Sequence, residues 1–212
     1  MYALVTDGSI AKYLRGNRGL TIGDIQYPRD IFSKWTEAQR KAIGIYEVIQ
    51  NNAKKKDGEY YTNTNQTFTY DADAGTVTAT YGDATAVAHA DTLWTQADSD
   101  NGNLPSNKSV GDVKTEGLKT KKIRTVKVQA AGILAQTDWY IVRKADAGTA
   151  VPSAITTYRA AVRAKCAEME TAITNASNTP AIETLYTYVN TADEGDPEVI
   201  ERPLGEFPEL GS

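Results

Sequence analysis

The sequence predicts an α+β fold: an N-terminal antiparallel β domain, then a C-terminal antiparallel helical hairpin and an extended tail. Three observations carry this expectation. Alternating strand-like patterns dominate the chain up to about residue 81, a polar stretch rich in turn formers follows at 96–116, and a three-and-four apolar period takes over from about residue 118. The expected divisions are a β-rich domain at 1–95, a linker at 96–116, a helical domain at 117–190 and an acidic, proline-containing tail at 191–212.

Taken in order, Tyr2-Ala-Leu-Val-Thr, Asp7-Gly8 and Ser9-Ile-Ala-Lys-Tyr13 read as a hairpin, because Asp-Gly supplies the positive φ angles of a two-residue turn. Gly16, Gly19 and Gly23 punctuate the loop that follows. Thr36-Glu-Ala-Gln39 has capping-box spacing, and Gly44 closes the short helix it starts. Ile45-Tyr-Glu-Val-Ile49 alternates and returns to the sheet. Beyond the basic turn Lys54-Lys-Lys-Asp-Gly58, strands are expected at 59–64, 66–70 and 76–81, rich in threonine and tyrosine. They suit a half-wet antiparallel meander.

Residues 96–116 are polar and full of turn formers, which reads as a linker. From about Leu118 to Gln136 the positions Ile123, Val126, Ala130, Ile133 and Leu134 form a helical stripe that Thr137-Asp138 interrupts. The clearest period is Ile155, Tyr158, Val162, Cys166, Met169 and Ile173, spaced three or four apart behind the helix-starting Pro152. Asn178-Thr-Pro180 ends that helix, and Ile182, Leu185, Tyr186 and Val189 mark a last short one. The facing helix offers few large apolar residues near Ala130 and Ala131, so apolar surface is expected to be left for a partner. Leu204, Phe207 and Leu210 in the acidic tail are expected to anchor on a neighbour.

Composition narrows the function classes. The 212 residues carry 23 Lys+Arg against 27 Asp+Glu, a net charge of -4, which argues against a chain-wide surface for nucleic acid. A single cysteine, Cys166, excludes an intramolecular disulfide, and with a single histidine, His89, the usual Cys/His zinc sites are excluded too. No run approaches 18 apolar residues, so no membrane insertion is expected. The opening meets Asp7 too soon for a secretory signal.

Candidate chemistry is sparse. His89 and Asp91 stand two apart, without a nucleophile elbow nearby. Cys166 lies in the apolar stripe, where a packed thiol is the usual case. Asp71-Ala-Asp-Ala-Gly75 lacks calcium-loop spacing and reads as a hairpin turn, and Gly16-Asn-Arg-Gly19 matches neither phosphate-binding fingerprint. The run Lys114, Lys119, Lys121, Lys122, Arg124 and Lys127 reads as a solvated face or one meeting an acidic neighbour. Trp139 and Tyr140 read first as a core clamp at a helix corner, with an interface anchor as the alternative. No enzyme activity, cofactor or metal is expected.

One resemblance adds to this reading. Leu134-Ala-Gln-Thr-Asp-Trp139, then Pro152, then Tyr158-Arg-Ala-Ala-Val-Arg163 resembles a motif of bacteriophage tail assembly chaperone and tail-fibre-assembly families. There a basic helix enters Leu-x-x-Thr-Asp-Trp, and a second helix carries Tyr-Arg-x-x-Leu-Arg. The opening, from Tyr2 to Tyr13, is similar to the N-terminal hairpin of phage tail accessory proteins. Departures are the longer second helix, the further helix behind it and the Thr/Tyr-rich strands inserted before the motif.

The resemblance implies a virion structural protein of the tail (fibre, baseplate or adaptor), assembled in the host cytoplasm and acting through protein–protein contacts. A tail-fibre assembly chaperone is the alternative. A host-surface binding module, using exposed Tyr60, Tyr61, Tyr70 or Tyr81, is the second. Other tail proteins and a second copy of the chain are the expected partners. Trp139, Tyr140, Tyr158, Met169, Leu204, Phe207 and Leu210 are the expected interface residues.

Overall fold

The structure is a computed structural model that describes every residue except Asn17, Asn65 and Ser212. The Asn17 position of the first glycine loop and the final residue of the tail therefore lie outside the described residues. The chain is mixed α+β, strand-rich first and helical later, and divides into two compact units, Met1–Thr85 and Ala86–Ser212. The division falls ten residues before the expected boundary at 95.

The first unit contains β1 (Tyr2–Thr6), β2 (Ser9–Leu14), β3 (Leu20–Ile22), β4 (Ile25–Tyr27), α1 (Ile31–Lys34), α2 (Glu37–Lys41), β5 (Ile45–Asn51), β6 (Tyr61–Thr62), β7 (Thr67–Asp71) and β8 (Thr76–Thr80). Asp7 and Gly8 take φ values of 50° and 73° at the β1–β2 turn, as a two-residue turn of that hand demands. Thr36 and Gln39 exchange both hydrogen bonds of the capping box. Gly44 has φ +78°, and a Cβ there would lie 2.5 Å from the Val5 carbonyl oxygen, so only glycine fits.

Five strands form a sheet in the order β2-β1-β5-β8-β7. It is mixed rather than wholly antiparallel, because β5 and β8 pair in parallel. The reason lies in burial. On β8, Val77 and Ala79 are fully buried, so this strand takes an inner position, while the Thr/Tyr-rich β7 takes the edge. The segment at 59–64 supplies only the two-residue β6, outside this sheet, so no three-stranded meander forms. Alternate residues of β1 and β5 go to opposite faces. Ala3 and Val48 join Val77 and Ala79, whereas Tyr2, Leu4 and Ile45 join Leu14 and Ile31.

The second unit begins around β9 (Thr85–Ala86) and holds β10 (Thr92–Leu93), α3 (Gln96–Asp100), β11 (Val113–Thr115), α4 (Leu118–Ala135), α5 (Asp138–Ala147), α6 (Ser153–Asn175), α7 (Thr179–Tyr186), β12 (Val189–Asn190) and β13 (Ile200–Glu201). The stretch expected to be a linker is ordered. β10 pairs with β11, Thr95 and Asp98 form a capping box on α3, and Lys114 Nζ sits 2.7 Å from Asp98. Lys114 and the Thr95 N–H and hydroxyl together hold the Asp98 carboxyl down at about 2.

The α6 stripe is buried as its period requires, with Ile155, Val162, Cys166, Met169 and Ile173 all at 8% exposure or less. Lys119 of α4 donates to the Thr174 carbonyl at 2.7 Å, Lys127 meets Glu170 at 3.1 Å, and Arg159 donates to the Leu134 carbonyl at 2.7 Å. The start of α4 thus meets the end of α6, and its end meets the start of α6.

A remote side chain fixes the beginning of α4. Asp91 accepts from the Gly117 N–H at 2.7 Å and the Thr120 hydroxyl at 2.9 Å. A Cβ on Gly117 would lie 2.4 Å from the Ala90 carbonyl group, so glycine permits this close approach. The Gly117 N–H bond, then that from Thr120, holds the Asp91 carboxyl below its ordinary 3.8. Because the folded value is depressed, the stabilisation is present at neutral pH and is lost progressively as the pH falls past 3.8 toward the folded value. Asp91→Ala is expected to lose about 1 kcal/mol at pH 7, as for other helix caps, and much less near pH 2. Urea unfolding of the two proteins across this range checks it; a difference that does not change with pH contradicts it.

Candidate interaction site

The residues of the two motif segments meet in space at the α4–α5 corner. α4 ends at Ala135, which leaves terminal carbonyls without helical donors. Thr137, 2% exposed, donates its hydroxyl to the Leu134 carbonyl at 3.0 Å. Arg159, reaching from α6, donates to the same carbonyl and to the Thr137 hydroxyl, each at 2.7 Å, and pairs with Asp138 at 2.8 Å. Arg159 is 8% exposed, so the guanidinium pins this corner from within. Sequence reading quoted Arg159 within its motif and missed the role, because its partners lie more than 20 positions away.

The pin sets the start of α5, a ten-residue helix in which no residue is buried. Gly148 ends it in the left-handed region. Trp139 is 51% exposed, Ile141 43% and Val142 65%, so the core-clamp reading of Trp139 is overturned. Trp139 stacks on Tyr140 with ring centroids 3.8 Å apart, and the Arg143 guanidinium lies 4.7 Å over the Trp139 ring and 5.4 Å over Tyr140. The Arg143 Nε is shielded from solvent and has no hydrogen-bond partner among the described residues. Trp139 and Arg143 stand at i and i+4, a spacing that would have revealed the pair had this stretch been read as a helix.

The other expected interface residues have different placements. Met169, 1% exposed, and Leu204, 2% exposed, belong to the unit's own core with Val126, Ala130, Val162, Cys166 and Ile173. Leu204 donates its N–H to the Leu185 carbonyl, and Phe207 packs half-buried on the same cluster. Residues 191–211 therefore do not form a free arm: β12 pairs with β13, and Leu204 covers the cluster beside the small Ala130. Tyr158 is also half-buried against this core. Tyr158 and the exposed Leu210 line one open groove of 500 Å³.

Tyr60 and Tyr61 are buried at 4% and 5%, and the Tyr70 hydroxyl bonds that of Tyr46 at 3.1 Å, so these three tyrosines do not form an exposed binding face. Cys166 donates to Glu170 at 3.4 Å, and burial pushes its thiol pKa up, which keeps it protonated. The carbonyl of His89 accepts from the Lys119 N–H, and Asp91 is engaged as a cap. Much of the basic run is engaged within the chain. Arg124 pairs with Glu116, Lys127 with Glu170, Lys114 with Asp98, and the Lys122 ammonium lies 4.1 Å over the Tyr186 ring. Among the described residues no three His, Cys, Asp or Glu groups converge, and no helix is long and apolar enough to cross a membrane.

No protein-family model matches the chain, and neither the curated proteins nor the solved structures contain a match.

Proposed function

We propose that this chain is a structural component of a bacteriophage tail and acts through protein–protein contacts, with α5 as its principal contact element. One observation carries the contact role. α5 has ten residues, buries none of them, and carries Trp139, Ile141 and Val142 in the open. An isolated helix shorter than about 12–15 residues is marginal in water, so α5 gains stability from a partner that covers it. Trp, Tyr and Arg are the residues that dominate interface energetics when desolvated. Here they are already stacked, which lowers the ordering cost on association.

The phage assignment rests on the motif resemblance. Its support is that Leu134, Thr137, Asp138 and Arg159 form one hydrogen-bonded unit rather than scattered matches. In this reading α4 and α6 are the antiparallel helical hairpin of the tail-protein pattern. The segment after α7 lies on that hairpin through Leu204, and Leu210, exposed beside Tyr158, is offered as a contact residue. The test is an inventory of purified phage particles by mass spectrometry. A constant copy number per particle is expected. Absence from particles combined with a requirement during fibre production would replace this reading with an assembly chaperone.

A further inference from the structure

The first unit carries a cleft of opposite character to the chain as a whole. It has a volume of 530 Å³ and is lined by Lys12, Arg15 and Arg18, with Tyr13, Gly16 and Phe32 among the other lining residues. No Asp or Glu is part of the lining, and the sequence has none between Asp7 and Asp24. All three cationic side chains are exposed, and none has an ion-pair partner among the described residues. In a chain of net charge -4, three uncompensated cations around one concavity form a local positive field.

The second unit carries the complement. The loop between β12 and β13 is closed at its base by the Thr191 N–H on the Val199 carbonyl at 2.8 Å, and it bears Asp193, Glu194, Asp196 and Glu198. All four are exposed, and none has an ion-pair partner among the described residues. No Lys or Arg occurs between Lys165 and Arg202, so the sequence around the loop offers no neutralising charge.

We propose that the acidic loop of one copy of this chain docks in the Lys12/Arg15/Arg18 cleft of a second copy. This names a partner for the assembly reading above and rests on it. Charge complementarity selects the occupant: the loop presents four carboxylates on a closed hairpin, and every copy brings one loop and one cleft. A cleft-to-loop contact joins two different surfaces, so it closes as a reciprocal two-fold dimer or a larger ring, or runs on as an open filament. Contacts of this kind between exposed charges are screened strongly by salt.

The experiment is sedimentation velocity of the full chain at low and high salt, with two charge-reversed variants. One is K12E/R15E/R18E; the other is D193K/E194K/D196K/E198K. Circular dichroism verifies the fold of each. The wild type is expected to associate at low salt and to disperse near 1 M NaCl, and each variant alone is expected to stay monomeric. Mixed in equal amounts, the variants are expected to associate again, because acidic cleft meets basic loop and basic cleft meets acidic loop. A wild type that is monomeric at every salt concentration, association unchanged by reversal, or a mixture that fails to recover association would each overturn the proposal. A chain that is present in particles but associates without regard to charge therefore refutes the cleft contact and leaves the tail reading standing.

Discussion

Ile173→Ala is expected to destabilise the helical unit by about 3–4 kcal/mol, the largest effect of any single substitution considered for this chain. Ile173 is fully buried in the cluster that α4, α6 and Leu204 build together. Truncation removes three carbons' worth of apolar burial and leaves a void that Met169, one turn away and itself almost fully buried, cannot close without moving. Equilibrium urea unfolding followed at 222 nm reports this unit, because every helix of eight residues or more belongs to it. A midpoint shift corresponding to less than about 1 kcal/mol would show that this cluster packs more loosely than its burial implies.

Arg159→Ala is expected to cost about 2 kcal/mol and to loosen α5 specifically. The substitution removes charge-assisted bonds to the Leu134 carbonyl and the Thr137 hydroxyl, together with the pairing to Asp138. Two features hold the figure below the 3–5 kcal/mol typical of breaking a fully buried pair. The Asp138 side chain is 55% exposed, so it regains water, and the Arg159 Nε has no hydrogen-bond partner to lose. Arg159→Lys is expected to recover only part of the loss, since the three contacts converge on the terminal Nη1 and the lysine side chain is one bond shorter. Amide hydrogen exchange separates the local effect from the global one. Faster exchange is expected in α5 and the last turn of α4, with the middle of α6 changed only by the global destabilisation. Uniform acceleration across α4, α5 and α6 would show that Arg159 supports the bundle at large and not the corner.

Local chemistry made much of the fold legible. The Asp7-Gly8 turn, the Thr36–Gln39 capping box and the α6 stripe each depend on residues close in sequence, and each is present. The parallel β5–β8 pairing was not legible, because it joins segments separated by a hairpin, and pattern alone does not say which neighbour a strand chooses. α5 escaped notice for a physical reason: a helix with no buried face shows no apolar period. Residues 96–116 looked like a linker since their order comes from polar side chains, Asp98 above all, with little apolar burial to leave a signature. Of the candidate site, Trp139 and Tyr140 could be singled out by residue type, whereas the Arg143 stack and the Arg159 pin required the helix geometry and the α4–α6 packing to be known. Leu204 was expected to anchor on a neighbour, but it is buried in the chain's own core.

The central claim is that α5 is displayed for a partner in the assembled tail. Its most direct test is the copy number of this chain in purified particles, measured by quantitative mass spectrometry for wild type and Trp139→Ala. The isolated variant should unfold at the wild-type urea midpoint, because half of the Trp139 surface is exposed and no core cluster includes it. The account predicts that such a stably folded variant is depleted from particles at least tenfold. Incorporation of Trp139→Ala at the wild-type copy number would contradict it.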